Sequence, residues 1–450
     1  MDRLFGTDGI RGVANTYPIT PEMALQIGRA TAYLCKKTQG KRHKVVLGKD
    51  TRISSSMLEH ALAAGVVSMG VDVLTAGEIS TPGIAFLARN LNADAGIVIS
   101  ASHNPFPDNG IKIFSGTGYK LSDQAEDEIQ ALIESESLHT LRPTGADIGR
   151  IIPVEDAARR YIEFCKSCLP KSHNFAGLKL VLDCANGALS KIAPVVFSEL
   201  GAALEIIHCN PDGTNINDHC GSQHPEDLVT AVLKNRADAG LAFDGDGDRL
   251  IAVDEKGNVM SGDHVLAICA RMYKDLGLLK NNIIVATVMS NFGLFTALKE
   301  MGIREAISKV GDRYVLEMMQ EKGAVLGGEQ SGHIIFLDHH TSGDGMVTAL
   351  QLLRAVHLYG KPLSELAKIM TALPQKIVNV EVKNKPPLEN IVELQTAIAK
   401  AEAELKNRGR CLVRYSGTQP LCRIMVEGPT EEITEQLALM LSETVRRYVG

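Results

Sequence analysis

A short pattern that recurs along the chain constrains its fold more than any other feature. Ala93-Asp94-Ala95-Gly96-Ile97 runs into a loop carrying Ser102, and Ala237-Asp238-Ala239-Gly240-Leu241 runs into Phe243-Asp244-Gly245-Asp246-Gly247-Asp248-Arg249. A weaker third copy, Gly323-Ala324-Val325-Leu326, leads into Gly327-Gly328-Glu329-Gln330-Ser331-Gly332-His333. Repetition of this kind marks a reused structural unit. In each copy a short apolar strand ends in a loop dense with reactive side chains. Upstream, Val45 to Gly48, Leu180 to Asp183 and Ile283 to Ala286 are further apolar runs, each followed by small and polar residues and then a helical pattern. Helical patterns also precede the reactive strands, at 225–235 and 314–320. Strands alternating with helices mean α/β domains whose sheets are covered on both faces.

A chain of 450 residues exceeds what one hydrophobic core supports, and three such domains are expected, at 1–155, 156–254 and 255–368. The remainder changes character. Ile377 to Val382 alternates like a half-exposed strand, a charged helix is expected over 388–406, two strands flank 414–420, and a last helix covers 431–448. That is a smaller α+β domain at 375–450, behind a linker at Ala372-Leu373-Pro374-Gln375. The expected fold class is therefore α/β: three similar α/β domains with mixed sheets covered by helices, plus the smaller α+β C-terminal domain.

Charge and composition narrow the partners. Lys+Arg 47 against Asp+Glu 53 gives a net charge of -6, and no basic block is interleaved with aromatics, so nucleic acid is not an expected partner. No apolar stretch reaches transmembrane length, and the opening Met1-Asp2-Arg3-Leu4-Phe5-Gly6 lacks the apolar segment of a secretory signal. No membrane association and a cytoplasmic location are expected. Nine scattered cysteines, an odd number, make no disulfide framework. Cys165-Lys166-Ser167-Cys168 has redox or half-zinc spacing but lies in the helical run 157–169 with no second pair, and adjacent His339 and His340 read as a solvated loop rather than as ligands.

The first reactive loop, Ser100-Ala101-Ser102-His103-Asn104-Pro105, follows an apolar run and precedes Asp108-Asn109-Gly110, a turn signal, and the strand 111–114. Pro105 restricts Asn104 and stiffens the loop where the Ser102 hydroxyl projects, which suits a nucleophile, although taken alone the motif reads rather as a polar loop with a buried Asn holding a turn. In the second loop, Asp244, Asp246 and Asp248 would repel one another without a hard divalent cation, and Gly245 and Gly247 let the backbone curl so that all three face one point. An EF-hand is excluded because Arg249 stands where its sharp turn needs glycine and apolar strands flank the motif. So few protein ligands leave open positions, which fits Mg²⁺ completed by a phosphate oxygen.

Arg414-Tyr415-Ser416-Gly417-Thr418, with Arg423 on the next strand, offers a guanidinium, hydroxyls and glycine-opened N–H groups to a phosphate, although alone it reads equally as a plain turn. Glu329, Ser331 and His333 suit sugar hydroxyls, and the glycine-rich Gly6 to Gly12 with its single Arg11 could be a tight loop and nothing more.

Taken together, Phe5-Gly6-Thr7-Asp8-Gly9-Ile10-Arg11-Gly12, Ser100 to Pro105, Asp244 to Arg249, Gly328 to His333 and Arg414 to Pro420 resemble the α-D-phosphohexomutases over essentially the whole chain. The resemblance implies that Ser102 is the serine phosphorylated in the active enzyme. It implies Asp244, Asp246 and Asp248 as Mg²⁺ ligands, with the Ser102 phosphate supplying a further oxygen. Lys112 and Arg11 then lie near the transferred phosphate, with His103 as a further catalytic candidate beside the serine. Glu329 and Ser331 match the sugar-recognition loop and Arg414, Ser416, Gly417 and Thr418 the phosphate loop, to which the residue chemistry adds His333 for the sugar and Arg423 for the phosphate. One residue departs from the family pattern: Gln419 stands where Glu is usual.

The activity implied is interconversion of glucosamine 6-phosphate and glucosamine 1-phosphate on the bacterial route to UDP-N-acetylglucosamine. A hexosamine 1,6-bisphosphate serves as activator or intermediate, the partner is a small-molecule sugar phosphate, and a homodimer is compatible with the sequence. The C-terminal domain is expected to close over the substrate. The alternatives are the corresponding glucose or mannose phosphates as substrates, or a sugar-phosphate phosphatase or sensor built on the same loops.

Overall fold

The apolar runs become strands buried at every position: Ala95–Ile99, Ala239–Phe243 and Ile283–Thr287 have no solvated side. This is the signature of central strands covered by helices on both faces. A computed structural model describes residues 3–6, 8–36, 42–135, 137–416 and 420–450. They fall into two compact units, Met1–Val288 with Arg304–Lys368, and Met289–Ile303 with Ile369–Gly450.

The first unit holds three mixed sheets of common design. The first runs Ile10–Val13, Asp108–Ser115, Ala95–Ile99, Lys44–Lys49, Asp72–Glu78, Ile151–Pro153. The second runs Val259–Met260, Leu250–Asp254, Ala239–Phe243, Lys179–Asp183, Ala203–Ile207, and the third Arg304–Ser308, Ile283–Thr287, Leu326–Gly328, Ile334–Phe336. In each sheet the strand before the reactive loop lies parallel to one neighbour, as Ala95–Ile99 does to Lys44–Lys49. It then pairs antiparallel with the strand after the loop. The three reactive loops are thus one structural device, the connection of an antiparallel pair at the edge of a parallel core. Helices Pro21–Cys35 and Ser55–Val67 cover one face of the first sheet, where Ile27, Leu58 and Leu62 pack with Val45, Leu47, Ile97 and Ile111.

The second unit has an antiparallel sheet in the order Gln375–Glu381, Leu421–Glu427, Arg410–Tyr415. Helices Val392–Leu405 and Glu431–Val449 bury Leu394, Leu405, Leu437 and Leu441 against Val380, Ile424 and Val426. No helix among the described residues is long and apolar enough to cross a membrane.

Two local expectations are overturned. Asp108-Asn109-Gly110 is not a turn but the start of a strand, because Ile10–Val13 pairs across it from Val13↔Asp108 to Arg11↔Gly110. This long-range pairing overrides local turn preference, and the turn falls earlier, between Ser102 and Pro107. Nor is His340 on a solvated loop. It is buried, its Nε2 donates to the Pro82 carbonyl at 2.8 Å and its Nδ1 accepts from the Thr341 N–H at 2.9 Å. Two mutually consistent ring contacts fix an uncharged tautomer, and burial pushes its pKa down to about 4.

Candidate active site

Ser102 follows the strand Ala95–Ile99, is fully buried, and has φ +54°, a left-handed conformation that costs a non-glycine residue roughly 1–3 kcal/mol. Strain of that size persists only where the surroundings hold it. The Ser102 N–H donates to Ser100 Oγ at 3.0 Å, and the Ser102 carbonyl accepts from Arg52 Nη2 at 3.0 Å and Asn217 Nδ2 at 2.9 Å. The hydroxyl points across to the second sheet's loop, donating to Asp244 Oδ2 at 2.7 Å, with His103 Nδ1 3.3 Å away. Burial, and then Arg249 and Arg11, push the His103 pKa down to about 4, so its ring is neutral near pH 7.

The loop from Asp244 to Asp248 is shaped by its glycines for two different reasons. Gly247 has φ +72°, while at Gly245 a Cβ would come within 2.7 Å of the Ser102 carbonyl oxygen. Asp244, Asp246 and Asp248 are buried, and one oxygen from each lies within 4.8 Å of the other two. Burial, then the charges of Asp248 and Asp246, push the Asp244 carboxyl well above the usual range. Asp246 Oδ1 and Asp248 Oδ1 are buried without a hydrogen-bond partner among the described residues. Hard oxygen donors, crowded negative charge and unfilled carboxylate oxygens fit a divalent cation with oxygen preference. Part of the charge is met by protein. Lys112 Nζ lies 2.8 Å from Asp246 Oδ2, 2.9 Å from Asp8 Oδ2 and 3.7 Å from Asp248 Oδ2. Burial opposes the ammonium, but the attraction of Asp246, Asp8 and Asp248 outweighs it and raises the Lys112 pKa. The helix Thr81–Asn90 also aims its N-terminus here: Thr81 Oγ1 donates to Asp246 Oδ2 at 2.5 Å.

A cavity of about 480 Å³ opens beside these groups, lined by Arg11, His103, Asp248, Arg249, Glu329 and His333 among others. The first unit therefore brings the expected residues of the N-terminal, serine, metal and sugar loops to one place. His333 Nδ1 lies 3.5 Å from Asp248 Oδ2, and although burial works against its charge, Asp248 and Asp312 raise its pKa to about 9. Glu329 Oε1 accepts the Gly311 N–H at 2.7 Å. Ser331, in the same loop, is not among the cavity-lining residues.

In the second unit, Arg414 and Arg423 are cross-strand partners and line a separate cavity of about 250 Å³ with Asn379 and Met289. Burial and the neighbouring Arg423 lower the Arg414 pKa, as expected of two cations placed side by side to receive an anion. Ser416 is buried, its carbonyl accepting from Lys385 Nζ at 2.7 Å. Gly417, Thr418 and Gln419, like Thr7, lie outside the described residues.

Sequence reasoning missed Asp8, which binds Lys112 and pairs closely with Arg11 and Lys120, and which these cations hold well below the usual carboxylate range despite burial. It also missed Asp50, Arg52, Asn217 and Arg249. The signal for two of them was present in Lys49-Asp50-Thr51-Arg52, a charged run directly after a buried parallel strand, where α/β sheets place their sites.

The four parts of the chain match four family models described as phosphoglucomutase/phosphomannomutase: alpha/beta/alpha domain I at 2–140, alpha/beta/alpha domain II at 159–257, alpha/beta/alpha domain III at 261–373 and the C-terminal domain at 377–444. The chain is 54% identical to a phosphoglucosamine mutase of Syntrophus aciditrophicus, over 100% of both chains. Among solved structures it is similar to a phosphoglucomutase/phosphomannomutase family protein from Burkholderia thailandensis, with TM-score 0.81 and 25% identity over 99% of this chain and 97% of that one. The Aspergillus fumigatus N-acetylphosphoglucosamine mutase in complex with GlcNAc-6P and magnesium shares the fold, with TM-score 0.67 and 16% identity over 99% and 96% of the two chains.

Proposed function

Since the chain belongs to the phosphoglucomutase/phosphomannomutase family, we propose that it moves a phosphoryl group between the 6- and 1-positions of glucosamine phosphate, using Ser102 as the covalent carrier. The chain is a phosphohexose-isomerising enzyme, as its full-length likeness to phosphoglucosamine mutases makes plain. What carries the residue-level reading is the buried Ser102 hydroxyl, held 2.7 Å from Asp244 at the mouth of a carboxylate cluster backed by Lys112.

Phosphorylated Ser102 gives its phosphoryl group to the free hydroxyl of the bound monophosphate. The hexosamine 1,6-bisphosphate so formed turns end for end, and Ser102 takes back the other phosphate. Catalysis of this kind is mostly positioning and charge stabilisation. Asp244, Asp246 and Asp248 would hold Mg²⁺, which when bound supplies positive charge to the phosphoryl oxygens. Lys112 and Arg11 add fixed cations on the first sheet's side. Neutral His103 sets a ring nitrogen beside the Ser102 hydroxyl, while Glu329 and cationic His333 line the cavity that would receive the sugar. A carboxylate there favours an amino sugar, whose ammonium it can pair. Arg414 and Arg423, with Ser416, Gly417 and Thr418, are assigned to the non-reacting phosphate. We assign the chain to the cytoplasm, in keeping with nine scattered cysteines, an odd number that makes no disulfide framework.

The test is incubation with glucosamine 6-phosphate, Mg²⁺ and a trace of hexose 1,6-bisphosphate. Glucosamine 1-phosphate should appear without stoichiometric inorganic phosphate. Phosphate release at the rate of turnover would make the site a phosphatase, binding without turnover a sensor, and equal kcat/KM for glucose phosphates would refute the amino-sugar assignment.

A further inference from the structure

We propose that Arg52 is a positioning residue for phosphoryl transfer: its buried ion pair with Asp50 fixes both peptide groups flanking Ser102 and so sets the direction of the Ser102 hydroxyl. This rests on Ser102 being the covalent carrier. The Arg52 side chain has no solvent exposure, and its two Nη groups donate to one loop. Nε binds Asp50 Oδ2 at 2.8 Å, Nη1 donates to the Pro105 carbonyl at 2.5 Å, and Nη2 donates to the carbonyls of Ser102 at 3.0 Å and Asn104 at 2.8 Å. Three carbonyls of the loop are therefore tied to a single planar group, a task that the fork of a guanidinium performs and an ammonium does not.

Asp50 completes the arrangement from the other side. Its Oδ2 accepts from Ser100 Oγ at 2.6 Å, and that same Oγ accepts the Ser102 N–H at 3.0 Å. Its Oδ1 is fixed in turn by Ser55 Oγ at 2.9 Å and the Arg52 N–H at 3.0 Å. The N–H before the Ser102 α-carbon and the carbonyl after it are thus both held, directly or through one hydroxyl, by one ion pair. Fixing those two groups fixes the backbone angles of the residue between them. Asn217, itself at φ +56°, adds a second clamp from another loop by donating to the Ser102 carbonyl at 2.9 Å and the Asn104 carbonyl at 3.0 Å. None of these groups lines the cavity or reaches the Ser102 hydroxyl, so they act through the serine rather than on the substrate.

A residue serving only to stabilise the fold would, when altered, lower the amount of active protein and leave the remaining molecules with normal turnover. A positioning residue changes the turnover of folded molecules. The experiment compares wild type, Arg52→Lys and Asn217→Ala, each confirmed folded by near-UV circular dichroism and thermal melting, with glucosamine 6-phosphate as substrate. Single-turnover transfer to Ser102 from hexose 1,6-bisphosphate is followed by intact mass. Arg52→Lys should lower kcat and the single-turnover rate together by about 100-fold, the effect of a misplacement near 1 Å, with KM close to wild type. Asn217→Ala, which removes one uncharged donor and leaves the ion pair in place, should lower both by about tenfold. Folded Arg52→Lys with wild-type kcat, or a rise in KM at unchanged kcat, would overturn the proposal. Should Arg52→Lys fail to fold, Asn217→Ala decides alone, and a wild-type transfer rate in it refutes the clamp. An inactive wild type that never takes phosphate onto Ser102 would instead refute the carrier assignment.

Discussion

Replacing Lys112 by Met separates the two sources of positive charge at the carboxylate cluster. Lys112 is almost wholly buried, and its Nζ lies within 3 Å of carboxylate oxygens of both Asp246 and Asp8. Removing one partner of a buried pair costs about 3–5 kcal/mol, because the other is left as an uncompensated charge, and two such partners here place the loss near the upper end. Met keeps most of the stem volume, so little of the loss comes from packing. If Asp244, Asp246 and Asp248 form a divalent site, the cation then replaces part of the missing charge. Mg²⁺ at a hundredfold above its Kd stabilises any folded protein that binds it by about 2.7 kcal/mol. In the variant the gain at a fixed Mg²⁺ concentration should be larger still, since removing a competing cation tightens the site. The assay is urea unfolding of wild type and Lys112→Met, in chelator and across a Mg²⁺ series. The expected result is a large deficit in chelator that shrinks as Mg²⁺ rises, with tighter Mg²⁺ binding in the variant. A deficit independent of Mg²⁺, or weaker Mg²⁺ binding in the variant, would show that Lys112 and the cation do not share those carboxylates.

Ser102→Ala should abolish turnover, and phosphopeptide mapping of active wild type should place the phosphate on residue 102 and not on Ser100. Excess chelator should stop turnover and Mg²⁺ restore it, with Asp246→Asn slower by about 100-fold; full activity in chelator would contradict the metal assignment. His340 makes a pH prediction. With its folded pKa depressed from 6.5 to about 4, the stability it allows is full above pH 6.5 and is lost as pH falls toward 4, by about 3 kcal/mol. His340→Gln, which cannot gain that proton, should show a correspondingly flatter stability profile between pH 6.5 and 4, measured by urea unfolding. Arg414→Ala should lower kcat/KM in both reaction directions by roughly tenfold to a hundredfold, as for a lost charge-assisted contact of about 1.5–3 kcal/mol; an effect in one direction only would refute a shared phosphate site.

How much of this was legible in the sequence depended on whether the determining interactions were local. The reactive strands were readable because a strand covered on both faces must be apolar throughout, as Ala239–Phe243 is, and such a run leaves a plain trace. The carboxylate loop stood out because three carboxylates within five residues have few explanations, but of its glycines only Gly247, by its φ, is explained locally, while Gly245 answers to the distant Ser102 carbonyl. Asp108-Asn109-Gly110 misled because its turn preference is weaker than its pairing with Ile10–Val13, a contact spanning about a hundred residues. His340 misled for a related reason: only the arrival of the Pro82 carbonyl turns an apparent loop histidine into a buried one.

The same distinction explains which site residues stayed hidden. Ser102, Asp244, Asp246 and Asp248, the residues proposed to act together, lie in loops whose composition is unusual in itself, whereas Asp8, Arg52 and Asn217 are ordinary polar residues until folding brings them to a partner. Asp8 acquires meaning only beside Lys112, and Arg52 only when a strand-end turn sets its guanidinium beneath three carbonyls of a loop some fifty residues on. In a repeated α/β architecture this is the expected division. In the first sheet Ser102 follows the end of a central strand, and what holds its loop follows the end of the neighbouring strand. Arg52 follows Lys44–Lys49, which lies parallel to Ala95–Ile99 and ends beside it with Lys49 paired to Ile99. Parallel pairing therefore delivers Arg52 to the Ser102 loop without any sequence proximity, and a change in that register would displace the Ser102 hydroxyl while leaving every residue of its own loop intact.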